Sequence, residues 1–237
     1  MTQNHPGLLE TLAKEQQPPF MMLCCADSRI SEQVIFNTQL GTMFTTRNIA
    51  NLFTEDDNAV SSVLAFSVGT VKVKHVVVMG HYGCAGVAGA MTPAPSPPLD
   101  TGADTIQTWI SPVREVFATS KRSEIAAYRE KLATHPDLSP ITDFQHPAFR
   151  ALVEENVKAS VTRIANSAFI HKTYSQFPIA TKAAADSAAE PVYIHGWVYD
   201  MEGGRVYDLG VSVGPPGVAV PKSPFPTTPA ANDLDGA

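Results

Sequence analysis

Two short segments hold most of the reactive side chains of this 237-residue chain. One is Cys25-Ala26-Asp27-Ser28-Arg29; the other is His81-Tyr82-Gly83-Cys84. Two thiolates and one imidazole form the donor set of a catalytic zinc site, in which three protein ligands leave a fourth position for water. Water held there loses a proton near neutral pH and becomes a nucleophile. The plain alternative is that the cysteines fill the core, as free cysteines commonly do, and His-x-x-Cys alone leaves the two readings level. Asp27 and Arg29 tip the balance. A carboxylate two residues from a thiolate ligand is costly unless neutralised, and an arginine two positions on can clamp it with paired hydrogen bonds. Asp27 would then stay ionised and accept the hydrogen of a zinc-bound hydroxide. Asp-Ser-Arg is also ordinary surface-turn sequence, but the four specified residues of Cys-x-Asp-Ser-Arg arise by chance in such a chain on the order of once in a thousand at average composition.

These side chains meet only if the elements that carry them end in one place. Residues 20–25, FMMLCC, are apolar on both faces and read as a buried parallel strand. Residues 75–80, HVVVMG, are rich in β-branched side chains and read as a second. Each empties directly into one of the two loops, and in open α/β sheets the ligand site lies beyond the carboxyl ends of the strands. Residues 43–48 read as a further strand, and residues 7–15, 31–37, 58–70, 104–132 and 148–171 as helices. Strand–helix alternation over the first 90 residues predicts an α/β fold, a mainly parallel central β-sheet flanked by helices. Residues 192–200 and 205–213, separated by MEGG, predict a hairpin that adds an antiparallel C-terminal edge. Residues 92–102 hold four prolines and read as a surface loop; residues 181–190 are Ala-rich and ambiguous. Residues 1–213 are then a single catalytic domain and residues 214–237 a Pro-rich, extended or disordered tail. Alternation along a strand turns Cys24 away from Cys25. His75 lies too far from the end of its strand to reach the metal, and His195 reads as a strand histidine.

Composition removes several classes of function. With 17 basic against 23 acidic side chains there is no basic stripe for nucleic acid. No run of about 18 apolar residues predicts a membrane-spanning helix, and the first 20 residues lack the pattern of a signal peptide. Three cysteines, two of them adjacent, make a poor disulfide framework and fit a reducing compartment, so the expectation is a cytoplasmic protein.

Together the motifs resemble the β-class carbonic anhydrases, a zinc lyase family, in their plant-like subtype. Cys25 to Arg29 is similar to that family's Cys-x-Asp-Ser-Arg, and Gly80-His81-Tyr82-Gly83-Cys84 to its Gly-His-x-x-Cys. Arg47-Asn48-Ile49-Ala50-Asn51 is similar to its Arg-Asn-x-Ala-Asn, and His195-Gly196-Trp197 with Tyr199-Asp200 to its last long strand. The resemblance covers about residues 6–210. It implies one Zn2+ per chain on Cys25, His81 and Cys84, and a catalytic dyad of Asp27 and Arg29. The reaction implied is reversible hydration of carbon dioxide to bicarbonate and a proton, by attack of zinc-bound hydroxide on CO2. It further implies Gln16, Phe44 and Gly86 in the substrate pocket, with Phe66 where the family carries a pocket tyrosine. Without the resemblance, Phe44 and Phe66 read equally well as core residues. The partners implied are CO2 and bicarbonate, with a homodimer or dimer of dimers in which Gln16 and the pocket aromatics reach across a subunit boundary. Two thiolates cancel the charge of Zn2+, so its water should be less acidic than in a three-histidine site, where the pKa is about 7, and hydration should rise with pH from about neutral upward. Two other readings stay open: a related zinc hydrolase acting on carbon disulfide or carbonyl sulfide, and a structural zinc closed by Asp27 as fourth ligand.

Overall fold

Strands β1 (Phe20–Cys25), β2 (Met43–Asn48), β3 (His75–His81), β4 (Tyr193–Asp200) and β5 (Arg205–Asp208) form one sheet in the order β2-β1-β3-β4-β5. The first four run parallel, and β5 returns antiparallel to β4. Around them lie α1 (Leu8–Leu12), α2 (Glu32–Ile35), α3 (Asn58–Phe66), α4 (Ala85–Ala90), α5 (Thr101–Trp109), α6 (Ser111–Thr119), α7 (Ser123–Thr134), α8 (Pro147–Ala165) and α9 (Ala168–Ser175). The structure, a computed structural model, describes residues 6–135, 141, 143–177 and 190–228. The architecture is the mainly parallel α/β sheet with an antiparallel edge that the sequence predicts.

The two faces of the sheet are unequal. Met21, Leu23 and Cys25 join Val76 and Val78 in the large core, together with α3, α4 and α8. Met22, Cys24, Val77 and Met79 turn the other way into a smaller cluster. Cys24 therefore faces away from Cys25, and burial pushes its thiol up. The apolar stripe of α8, with Leu152, Val153, Val157, Val161 and Ile164 all buried, lies against β3 and β4. A Cβ on Gly80 would stand 2.5 Å from Val157 Cγ2, so the glycine before His81 is what lets this helix press onto β3.

Several boundaries differ from expectation for local reasons. Residues 104–132 form three helices rather than one. Asp100 Oδ1 accepts from the Ala103 N–H and starts α5 at 101, and Pro112 opens α6 where a missing N–H does no harm. The stretch 148–171 divides at Ser167, whose side chain caps α9. Of the second hairpin strand only residues 205–208 pair continuously. Asp208 Oδ1 accepts from the Gly210 N–H at 2.6 Å, drawing the chain off the ladder until Val213 bridges Ile194. Residues 214–228 of the tail turn at 215–217, and their last residues, 225–228, lie against the sheet. The Asp208 N–H donates to the Pro226 carbonyl and the Thr228 N–H to the Asp208 carbonyl, both at 2.9 Å, and the Phe225 ring meets Trp197 at 4.8 Å. Residues 181–189 of the Ala-rich segment, and 229–237, lie outside the described residues. No described helix is long and apolar enough to cross a membrane.

Candidate metal centre

β1 and β3 are parallel neighbours, with Phe20 opposite His75 and Cys24 opposite Met79, so their carboxyl ends lie side by side. Cys25 ends β1, His81 ends β3, and Cys84 flanks the start of α4. One donor atom from each of these three buried residues lies within 4.8 Å of the others, and the two sulfurs are 3.8 Å apart. His81 Nδ1 stands 3.1 Å from the Tyr82 carbonyl oxygen. A carbonyl can only accept, so Nδ1 carries the hydrogen and Nε2 is left as a lone pair. That Nε2 is buried with no hydrogen-bond partner. An unpaired lone pair beside two sulfurs fits a metal ion, and a sulfur–sulfur–nitrogen set suits zinc. The hydrogen bond from Cys84 pulls the Cys25 thiol down, with help from His81 and against burial. The same bond and burial push Cys84 up. The pair thus favours a thiolate on Cys25.

Asp27 and Arg29 meet as the sequence predicts. Arg29 donates from Nε to Oδ1 at 2.9 Å, from Nη2 to Oδ2 at 2.6 Å, and from its backbone N–H to Oδ1 at 3.0 Å. These bonds hold the Asp27 carboxyl well below the usual carboxylate range, although partial burial opposes them. Asp27 Oδ2 lies 3.8 Å from His81 Nε2, at the edge of the candidate metal position. Arg29 Nη2 also donates to the Gly83 carbonyl at 3.2 Å, tying the first loop to the second. Gly83 turns that second loop with φ at +81°, where a side chain would be strained.

Residues from other elements hold the loops in place. Arg47 donates to the carbonyls of Cys25 at 3.0 Å and Asp27 at 2.8 Å, and also to that of Ile30, so one guanidinium fixes the first loop. Tyr82 donates from its hydroxyl to Glu154 Oε1 at 2.6 Å, and Arg122 Nη1 donates to Glu154 Oε2 at 2.5 Å. The Tyr82 ring lies 3.4 Å from the Arg150 guanidinium carbon. The sequence signals Arg47 only as part of a motif, and Glu154 and Arg122 not at all. Their partners stand 72 and 32 residues away, a separation that no local spacing signals.

A cavity of about 360 Å3 opens over Cys25 and Asp27, with Ile49, Gly86, Ile106, Gln107 and Ile110 in its wall. Of the pocket residues implied by the resemblance, Gly86 lines it. A Cβ there would stand 2.7 Å from Ile49 Cγ2, so the glycine lets α4 close on the turn after β2. The other three are not brought to Cys25 within one chain. Gln16 precedes β1 at the amino end of the sheet, in a hollow with Lys72, Lys74 and Glu190. Phe44 stands opposite Met21 in the outermost strand β2. Its ring stacks on Phe66 at 5.8 Å, and Phe66 is 48% exposed. Ile106 and Gln107 were not foreseen, because α5 reaches the cavity from beyond the Pro-rich loop.

The family model for carbonic anhydrase matches residues 20–206. A carbonic anhydrase of Emericella nidulans is 30% identical over 208 residues, covering 87% of this chain and 75% of that protein. One of two tetrameric β-carbonic anhydrases of the filamentous ascomycete Sordaria macrospora aligns with a TM-score of 0.67 and 26% identity over 90% of each chain. A Coccomyxa β-carbonic anhydrase solved in complex with acetazolamide aligns with a TM-score of 0.66 and 27% identity, covering 88% of this chain and 79% of that one.

Proposed function

The chain belongs to the β-carbonic anhydrase family, and from that premise we propose that it catalyses the zinc-dependent, reversible hydration of carbon dioxide to bicarbonate and a proton. One observation carries the reading: the unpartnered, buried Nε2 of His81 stands beside two sulfurs and a carboxylate held ionised by arginine. Cys25, His81 and Cys84 would hold the ion, which when bound makes a water molecule acidic enough to serve as the nucleophile near neutral pH.

The chain's own residues do the rest. The Tyr82 carbonyl fixes the His81 tautomer, which leaves Nε2 the lone pair that would hold the ion. Asp27, ionised, can only accept, and so orients a nucleophile by its O–H and leaves the opposite lone pair toward the cavity. Arg29 engages both Asp27 oxygens, which supports an open fourth position over a structural site closed by that carboxylate. The wall of isoleucines, alanines and glycines suits uncharged CO2.

Gln16, Phe44 and Phe66 act, in this reading, across a subunit boundary, in a dimer or dimer of dimers. Their distance from Cys25 within one chain supports that placement. So does the open edge of β2, where a half-exposed ring pair would otherwise face water. Stopped-flow measurement on zinc-loaded protein should show CO2 hydration well above the buffer rate, and Cys84→Ser should lose both zinc and rate. A folded, zinc-loaded parent with no rate above buffer would overturn the proposal.

A further inference from the structure

We propose that Gln107 is a substrate-binding residue whose Nε2 donates a hydrogen bond to an oxygen of bicarbonate in the cavity over Cys25; the inference rests on the carbonic anhydrase reading. Gln107 shares the cavity wall with Cys25 and Asp27. Its Oε1 accepts from Arg114 Nη2 at 2.7 Å. A guanidinium has donors only, so the amide has no choice of orientation: its oxygen faces Arg114 and its NH2 is the free end. Arg114 is itself fixed. It donates to the carbonyls of Gly89 at 2.9 Å, Ala90 at 3.2 Å and Thr92 at 2.5 Å, at the end of the helix that begins after Cys84. Among the described residues no acceptor takes the Nε2 hydrogens.

The remaining wall offers no equivalent. Besides Cys25 and Asp27 it is built of alanine, glycine and isoleucine side chains, and an ionised Asp27 cannot donate. Bicarbonate carries one O–H and acceptor oxygens that share a negative charge. Asp27 can take the O–H, and Gln107 is the side-chain donor that the same chain supplies to this wall. An amide does this without adding a charge, so the cavity keeps its fit for CO2. A site that pairs donor with acceptor in apolar surroundings discriminates by leaving its own polar groups unpaired when the wrong molecule enters.

The test uses zinc-loaded protein and two readouts: kcat and KM in both directions, and bicarbonate affinity from the rise of melting temperature with bicarbonate. Gln107→Leu removes the donor. Gln107→Glu keeps a partner for Arg114 and turns the free end into a charged acceptor. Gln107→Leu should raise KM and apparent Kd for bicarbonate about 10- to 100-fold, the scale of one hydrogen bond to a charged group. Gln107→Glu should raise both further, with zinc content near the parent value in each. Bicarbonate KM and Kd within about twofold of parent in both variants, or zinc lost in Gln107→Leu, would overturn the inference. A parent that binds bicarbonate but hydrates no CO2 overturns the enzyme reading alone, since the two Kd values still judge Gln107.

Discussion

Arg29 donates to both oxygens of Asp27 from a single guanidinium, so the carboxylate is fixed in direction as well as charge. Lysine is a point charge and cannot reproduce that fork. Arg29→Lys should therefore keep stoichiometric zinc and lose about 10- to 100-fold in kcat/KM, the range seen when a partner that orients a metal site is removed. Asp27→Ala should lose at least as much, while Cys24→Ser, whose side chain sits in the cluster behind the sheet, should stay near the parent; zinc analysis beside hydration rates checks all three. The Asp27 carboxyl sits below its usual value near 4, so what it adds to stability is present above that pH and lost only as pH falls through the lowered value. The acid limb of activity should accordingly not be set by Asp27. This much was legible in the sequence because Cys25, Asp27 and Arg29 fall within five residues. Arg47 was not, because its three carbonyl partners become neighbours only when β2 pairs with β1.

Among the elements, α8 bears most of the support. It packs on Gly80, and through Glu154 it holds Tyr82, which stands between His81 and Cys84 in the second loop. Glu154→Leu would leave Arg122, buried at 4% exposure, with Glu124 as its close carboxylate partner. Breaking a buried pair on one side should cost about 3–5 kcal/mol, against about 1–3 for Tyr82→Phe, both read from urea denaturation. In β4, His195 Nε2 lies 3.0 Å from His75 Nδ1, and its Nδ1 2.9 Å from Ser212 Oγ. Burial, then His75, pull His195 down to about 4, although Asp208 opposes them. An unfolded histidine titrates near 6.5. As pH falls below about 6.5 the unfolded chain takes up a proton that the fold refuses until about 4, so stability drops across that window. His195→Gln should flatten the drop, measured as the urea midpoint at successive pH values. β1 and β3 were legible because continuous apolar runs mark them, and β4 and β5 because they flank a turn sequence. The tail was not: its prolines promise extension, but its anchor, Phe225 against Trp197 and Phe36, is a long-range ring cluster.

At the scale of the whole molecule, one chain places its candidate metal centre at the carboxyl end of the sheet and Gln16 at the other end. Such a division is functional only if a second copy brings its amino end to the first copy's site. The stacked rings of Phe44, on the edge strand β2, and Phe66, at the end of α3, are the surface such a contact would cover. Phe66→Glu should shift the mass measured by light scattering from a multiple of 25.4 kDa toward a single chain, with a fall in hydration rate despite bound zinc. A parent that is fully active at 25.4 kDa would remove the role given to Gln16. The proposed reaction asks less than the assembly: CO2 and bicarbonate interconvert at Cys25, His81 and Cys84 with Asp27 beside them. Mass-spectrometric loss of 18O from labelled CO2 and bicarbonate reads that interconversion directly. Zinc-loaded parent should deplete the label far faster than buffer, and chelation, Cys84→Ser or Asp27→Ala should each return depletion close to the uncatalysed rate. Depletion at the uncatalysed rate by folded, zinc-loaded parent, or catalysed depletion that survives Cys84→Ser and Asp27→Ala unchanged, would contradict it.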